Sequence, residues 1–449
     1  AELLGPSAAA MAEEAFAGLR ARYGAEPPTP VRLEIYPSHA DFSVRTLGIT
    51  GLGALGVSFG STLVMDSPSA RDPGEFNWAS TMWHEVAHAF HLAMTEHRVP
   101  RWFTEGLAVH EQHQARPHWG HRASPAWLRA YADEALFPVS ELNEGFVRPR
   151  YPEQVIFSYY QASLVFQLIE SQWGLEAILA MLEGYREGRS NEEVFLEVLG
   201  QTPEEFDETF DDYIQRQWGD QIRAVAEETE EGAGAAAGVF HGGGGDVRAL
   251  RMQVMQHPGS FLLRLALGRA LFEAERFEEA EEELQAALRL FPQYGGPDGP
   301  YAYLARIHRE RGELEQAAMA LHQLGRLNEA LAPVHVEEAE LWMELDRAEE
   351  AARALEKAVE VTPFEMEWRR TLAELHEELG EADGAVRERR AILALDPTDR
   401  ADAHYRLARA LSSAGEAEEA RREVLRALEI APTFDAALEL LLELRGGGR

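Results

Sequence analysis

Two histidines four residues apart, with a glutamate directly after the first, stand at His84-Glu85-Val86-Ala87-His88. On an α-helix, side chains at i and i+4 lie one turn above each other, so both imidazoles can point at a single ion. Glu85 falls just beside them, where a carboxylate can take a proton from a metal-bound water without being a ligand. The plainer alternative is two histidines that merely share a helix face. A tetrahedral catalytic metal needs a third protein ligand and keeps one position open. His91 is on the same face, but seven residues of helix rise about 10 Å, too far for donor atoms each about 2 Å from one ion. Glu96, near the end of the same helix, has the same problem of reach, and Met94 stands where the next histidine of a longer local motif would be. Glu105, in "VPRWFTEGLAVHEQ" (99–112), is better placed. Sixteen residues separate it from His88, enough to end one helix, turn at Pro100 and bring a second helix back beside the first. The predicted set is His84, His88 and Glu105 as ligands, with Glu85 as base.

These residues need a scaffold. Trp83, Ala87 and Phe90 recur at helical spacing around the motif, and Asn77 is a suitable N-cap. "VRLEIYP" (31–37) and "STLVMD" (61–66) read as strands, rich in branched residues and bounded by Pro, Gly and Ser. The apolar run 47–65 carries glycines at 48, 51, 53, 56 and 60, which suit loops and strand ends better than a membrane-spanning helix. From about residue 75 the pattern is helical, with start signals at Pro152 and at Thr202, Pro203 and Glu205. The stretch 227–246, small and acidic with no core pattern, reads as a linker.

Beyond it the chain repeats. Small residues recur at Gly268, Ala305, Ala339, Ala373 and Ala408, with gaps of 37, 34, 34 and 35, and a second series, Ala280, Ala317, Ala351, Ala385 and Ala420, keeps the same gaps. Prolines at 292, 363, 397 and 432 close units. A 34-residue period, with small residues where two helices touch and Pro ending the second, is the tetratricopeptide pattern. Five repeats and a capping helix (433–444) are expected, stacked into a solenoid of the kind that binds a peptide or protein.

The 42 basic and 77 acidic side chains give a net charge of -35, which argues against nucleic acid and anionic lipid as partners. With no cysteine, disulfides, a thiol nucleophile and Cys-ligated metal are excluded, and any metal must sit on His and carboxylates.

"HEVAH" followed by "RWFTEGLAVHE" resembles the gluzincin zinc peptidases, most of all the peptidase MA-like domains found ahead of tetratricopeptide repeats. In that group a W-x-x-E-G-x-A segment supplies the glutamate ligand; here it reads Trp102, Glu105, Gly106, Ala108. The resemblance covers roughly residues 30–220 and implies one Zn2+ per chain and hydrolysis of peptide bonds. "FSYYQASLVFQLIESQWG" (157–174) resembles the Tyr-x-Lys-Gly helix of the aminopeptidase branch. In register, Tyr159 takes the place of the oxyanion-binding tyrosine, Gln161 that of the lysine and Ala162 that of the glycine; Tyr160 is a rival one residue away, and both tyrosines as core packing is the other reading. The G-x-M-E-N strand that holds a free amine in aminopeptidases has no counterpart in "GVSFGSTLVMDSP" (56–68), which favours an endopeptidase. Glu111 and His110 are candidates to support the ligand histidines, and His110, His113, His118 and His121 are either a second metal site or a polar helix end.

The fold expected is an α+β zincin-like peptidase domain, with a small N-terminal sheet and a helical C-terminal part, over 1–228. A flexible linker, 229–257, and an all-α tetratricopeptide solenoid, 258–449, follow it. A peptide or protein substrate, a protein partner on the repeats, no nucleic acid and no membrane span complete the expectation. An exported location in a bacterium, ahead of a cytoplasmic one, is the expectation taken from the resemblance and from the start at Ala1. The alternatives are a scaffold whose zinc site is structural or vestigial, and a zinc hydrolase acting on a non-peptide amide.

Overall fold

A computed structural model of the chain describes residues 3–226 and 246–446, apart from 28, 49–52, 73, 75 and 329. The first half is mostly helical around one small sheet. Helix α1 (Leu4–Tyr23) buries Leu4, Ala8, Ala15, Leu19 and Tyr23, a stripe at helical spacing. Strand β1 (Arg32–Tyr36), helix α2 (His39–Leu47), strand β2 (Gly56–Ser58) and strand β3 (Thr62–Asp66) follow. The sheet order is β1-β3-β2, with β3 parallel to β1 and antiparallel to β2. Strand β2 therefore forms an edge, and Val57 pairs with Val64 there. The two sequence-predicted strands match β1 and β3; Gly48 ends α2 in a left-handed turn, and positions 49–52 of the apolar run lie outside the described residues. No described helix is long and apolar enough to cross a membrane.

Helix α3 (Trp78–Met94) begins where Asn77 accepts hydrogen bonds from the backbone N–H groups of Ala79 and Ser80, the cap expected from sequence. It is buried on nearly every side, between α1, the sheet and the next helix. Helix α4 (Arg101–Ala115) starts after Pro100 and runs back along it. Four further helices matter to the site: α5 (Pro125–Ala132), α6 (Leu142–Val147), α7 (Gln154–Trp173) and α8 (Leu175–Arg186). Helices α4 and α7 approach closely because Gly106 faces Ala162. A Cβ on Gly106 would lie 2.5 Å from that of Ala162. Helices α9 (Asn191–Leu199) and α10 (Pro203–Ala226) close this half. Thr202 and Glu205 form the reciprocal N-terminal cap of α10 that their spacing predicts.

The linker expected over 229–257 is shorter at its C-terminal end. Residues Val247–Gln256 form helix α11, capped by Asp246 and packed on the first repeat through Leu250 and Val254. Its apolar positions, four apart, are too few to stand out from sequence, and the first repeat is what buries them. Five helix pairs follow: Phe261–Glu273 with Phe277–Leu290, Pro300–Glu310 with Leu314–Leu327, Ala332–Glu344 with Ala348–Val361, Met366–Leu379 with Ala382–Ala394, and Arg400–Ser413 with Ala417–Ile430. Helix Asp435–Gly446 ends the solenoid. Every small residue of the two periodic series is buried where the paired helices touch.

The two halves pack together. One apolar core runs from Phe103 and Phe166 through Ile222 and Val225 to Leu250, Phe261 and Phe291. Farther along, the indole N–H of Trp78, at the start of α3, donates to the backbone carbonyl of Glu360 in the third pair. The repeats are thus seated against the helix that carries His84 and His88.

Candidate metal centre

The antiparallel return of α4 along α3 brings three donor atoms together. His84 Nε2 and His88 Nε2 are 3.0 Å apart, and Glu105 Oε2 lies 3.3 Å from the first and 3.2 Å from the second. Among the described residues this is the one group of three or more side chains arranged to hold a metal ion. Four-coordinate ligands with bonds of about 2.0–2.1 Å sit about 3.3 Å from each other. The donor triangle has that size before any ion enters, and its chemistry, two imidazoles and a carboxylate, suits a divalent cation. His91 is outside the triangle, as its rise along the helix requires.

The other ring nitrogens are held by groups that the sequence did not single out. His84 Nδ1 lies 3.2 Å from Gln112 Oε1. The Gln112 amide nitrogen is committed to the Ser80 carbonyl at 2.9 Å and hydroxyl at 2.7 Å. Its oxygen must therefore face the imidazole, which keeps the proton on Nδ1 and the lone pair on Nε2. His88 Nδ1 is 2.8 Å from Thr104 Oγ1, which is also 3.1 Å from His91 Nδ1. His91 Nε2 reaches the Tyr23 hydroxyl at 3.0 Å. The sense that leaves the lone pair on His88 Nε2, as metal binding requires, has His88 donating to Thr104, Thr104 to His91, and His91 to Tyr23. Burial, with His88 and His84 nearby, holds His91 neutral, well below its ordinary range.

Glu111 and His110, expected to support the histidines, do other work. Glu111 accepts from Arg22 Nε at 2.8 Å, and His110 Nε2 lies 2.5 Å from Glu170. Arg22 reaches that same carboxylate at 2.7 Å, and together His110 and Arg22 outweigh burial to hold Glu170 down at about 2. The pairs tie α1, α4 and α7 behind the site. On a helix turning 100° per residue, Gln112, seven after Glu105, returns to its face, whereas Glu111 and His110 are turned away. That periodicity is the signal by which Gln112 could have been found. Among the described residues, His110, His113, His118 and His121 do not converge on a second centre. Burial keeps His113 at about 3 and His118 at about 4, both uncharged.

Glu105 divides its two oxygens. Oε2 faces the histidines, and Oε1 accepts from Arg101 Nε at 3.3 Å. Burial works to raise this carboxyl, but His88 and His84 outweigh it and hold the group well below the carboxylate range. Glu85, 4% exposed, has the opposite fate. Burial, with Glu105 adding to it and His84 opposing, pushes it up to about 8. Its carboxylate lies against the backbone of Gly56 on β2. A Cβ there would come within 2.5 Å of Glu85 Oε1, so the strand passes this close only because the residue is glycine.

Tyr159, on α7, packs 6.1 Å from the His84 ring and 5.6 Å from that of His121, centroid to centroid. Burial keeps its hydroxyl protonated, pushed up far above the ordinary range. Tyr160 turns the other way, edge-on to Trp127 at 5.0 Å. Gln161, in the register of a lysine, is buried and donates to the Phe137 carbonyl at 2.7 Å. A cavity of about 980 Å³ opens over His84, Glu85, Gln112 and Tyr159, and residues of the first two repeats complete its lining.

The Peptidase MA superfamily model matches residues 11–216, and tetratricopeptide-repeat models match 247–295, 265–324, 336–400 and 401–434. No curated protein matches the chain. Among solved structures, YrrB, a TPR protein with an unusual peptide-binding site, is 18% identical, covering 43% of this chain and 98% of that one at a TM-score of 0.31. MamA is 18% identical over 38% and 90%, at a TM-score of 0.28. TTC0263, a thermophilic TPR protein in Thermus thermophilus, is 24% identical over 42% and 98%, at 0.21. The helix pair that carries the donor triangle therefore belongs to a Peptidase MA superfamily domain, followed in the same chain by tetratricopeptide repeats.

Proposed function

We propose that the protein is a zinc-dependent metallopeptidase, with His84, His88 and Glu105 holding one Zn2+. The observation that carries this reading is the donor triangle of 3.0–3.3 Å with an unpaired, buried Glu85 oxygen beside it. Bound zinc supplies Lewis acidity and lowers the pKa of its water. Glu85 is the general base, taking a proton from the attacking water and delivering it to the leaving amine. The Tyr159 hydroxyl donates to the oxygen on which charge develops. Gln112 and Thr104 fix the two imidazoles, so that Nε2 of each is turned inward. The open edge of β2, beside Glu85, offers backbone groups to an extended peptide. The missing acidic anchor for a free amine makes an endopeptidase the better fit, and the repeats hold the protein that is cut or a partner that delivers it.

Metal analysis of the purified chain, set beside peptide hydrolysis, tests the reading. About one zinc per chain is expected in the wild type and in Glu85→Gln, and loss of zinc in Glu105→Ala. Glu85→Gln should lose 10²–10⁴-fold in rate, roughly what general acid–base work contributes. Full hydrolysis by Glu85→Gln, or tight zinc in Glu105→Ala, would overturn the assignment.

A further inference from the structure

The repeat period carries one irregularity. The first gap, Gly268 to Ala305, is 37 residues where the next two are 34. The excess falls between the first and second pairs, where helices ending at Leu290 and starting at Pro300 leave nine residues; Leu327 to Ala332 and Val361 to Met366 leave four each. In the long loop, "FPQYGGPDG", Pro292, Gln293, Pro297 and Asp298 are exposed, while the centre turns inward. Tyr294, Gly295 and Gly296 line the cavity that contains His84 and Glu85, beside Leu262, Leu327 and Asn328 of the same two pairs.

The loop is held in place. Asn328 Nδ2 donates to the Gly295 carbonyl at 3.1 Å, tying it to the next inter-repeat turn. Tyr294 packs on Phe261 and Phe291, with ring centroids 4.9 and 5.9 Å away. Gly295 allows the approach to Leu327, since a Cβ there would fall 2.7 Å from the Leu327 carbonyl oxygen. Tyr294, Leu262 and Leu327 are only half-buried, and Ile156 of α7, in the same cavity, is 57% exposed. Apolar surface left open to a cavity, next to a polar reacting end, is the usual composition of a ligand pocket. About 980 Å³ is near the upper end of the range for pockets that hold small ligands, roughly 300–1,000 Å³, and far too small for a folded protein.

We propose that the first two repeats are a wall of the active site. The 291–299 loop, with Leu262 and Leu327, forms an apolar subsite for a side chain of an extended peptide cut at the metal. This rests on the peptidase reading above, and it gives the repeats a role in choosing the bond as well as the protein. An unfolded segment or terminus with a large apolar residue beside the cleaved bond is the substrate class.

The test is a peptide library cleaved by the full-length, zinc-loaded chain and read by mass spectrometry, for the wild type, Tyr294→Ala, Leu327→Asp and, as a distant control, Leu425→Ala. The wild type should select large apolar side chains at one position flanking the cut. Tyr294→Ala should lower kcat/KM for those peptides at least tenfold, and Leu327→Asp should turn the preference toward basic side chains. Zinc content should stay unchanged and each variant should remain folded at the assay temperature, with Tyr294→Ala lowered in unfolding midpoint by the packing on Phe261 and Phe291 that it loses. Leu425→Ala should keep the wild-type profile. Wild-type cleavage with the same profile in both loop variants overturns the wall and leaves the peptidase reading standing. No cleavage of any peptide by the zinc-loaded wild type overturns both.

Discussion

Replacing Glu85 by glutamine should make the metal-free protein more stable at neutral and alkaline pH while removing the proposed base. Glu85 is buried, and one of its oxygens lacks a hydrogen-bond partner. Burial raises its pKa from 4.5 to about 8. The folded state therefore holds a proton there that the unfolded chain has released, and stability falls as pH rises between those two values. At about 1.4 kcal/mol per pH unit the cost reaches roughly 3 kcal/mol at pH 7 and 4–5 kcal/mol above pH 8. These are upper figures, because water entering the cavity would relieve part of the burial. Glutamine keeps the shape and carries no charge at any pH, so it escapes the cost. For a unit of about 200 residues the pH 7 difference corresponds to several degrees in unfolding midpoint. Thermal unfolding of chelator-treated wild type and Glu85→Gln, from pH 4.5 to 9, measures it. The curves should coincide at the acid end and diverge steadily upward, with the variant higher. Adding zinc should close the gap, since a divalent cation beside the carboxylate stabilises its charged form. Parallel curves across the whole range would mean that Glu85 is solvated and that its unpaired oxygen is not buried as described.

Two substitutions probe the positioning of the ligands. Thr104→Val removes the hydroxyl that orients His88 and should weaken zinc binding by roughly 10–100-fold, read by competition with a chelator, while the peptidase half stays folded. Gly106→Ala places a methyl 2.5 Å from Ala162 Cβ and should cost about 1–3 kcal/mol through overpacking between α4 and α7, seen as a lowered unfolding midpoint.

That His84, His88 and Glu105 converge was legible in sequence because helix geometry is strict. An i, i+4 pair admits few third partners, and rise along the helix is by itself enough to reject His91. The repeat register was legible for a similar reason, since two series of small residues kept identical gaps. The support of the histidines was harder to see. Glu111 and His110 attract attention as charged and titratable groups, yet the helix turns them toward Arg22 and Glu170, and the neutral Gln112 and Thr104 take their place. The seating of the repeats was not legible at all. Trp78 and Glu360 are 282 residues apart, and nothing local to either position announces the other. The 37-residue gap was visible, but only the packing of Tyr294 and Gly295 shows where the additional residues go.

A stack of identical repeats has two raw ends, each exposing the apolar face that a further repeat would cover. Here helix Asp435–Gly446 covers one end, and α10 and α11, through Ile222, Val225, Leu250 and Val254, cover the other. The Peptidase MA superfamily half, continued by α11, thus serves as the terminal cap of the solenoid. Cutting the gene between the halves would leave each piece with an uncovered hydrophobic surface, and both would tend to aggregate. Evolution can lengthen or shorten this array only at its far end, because the near end is also a wall of the cavity over Glu85.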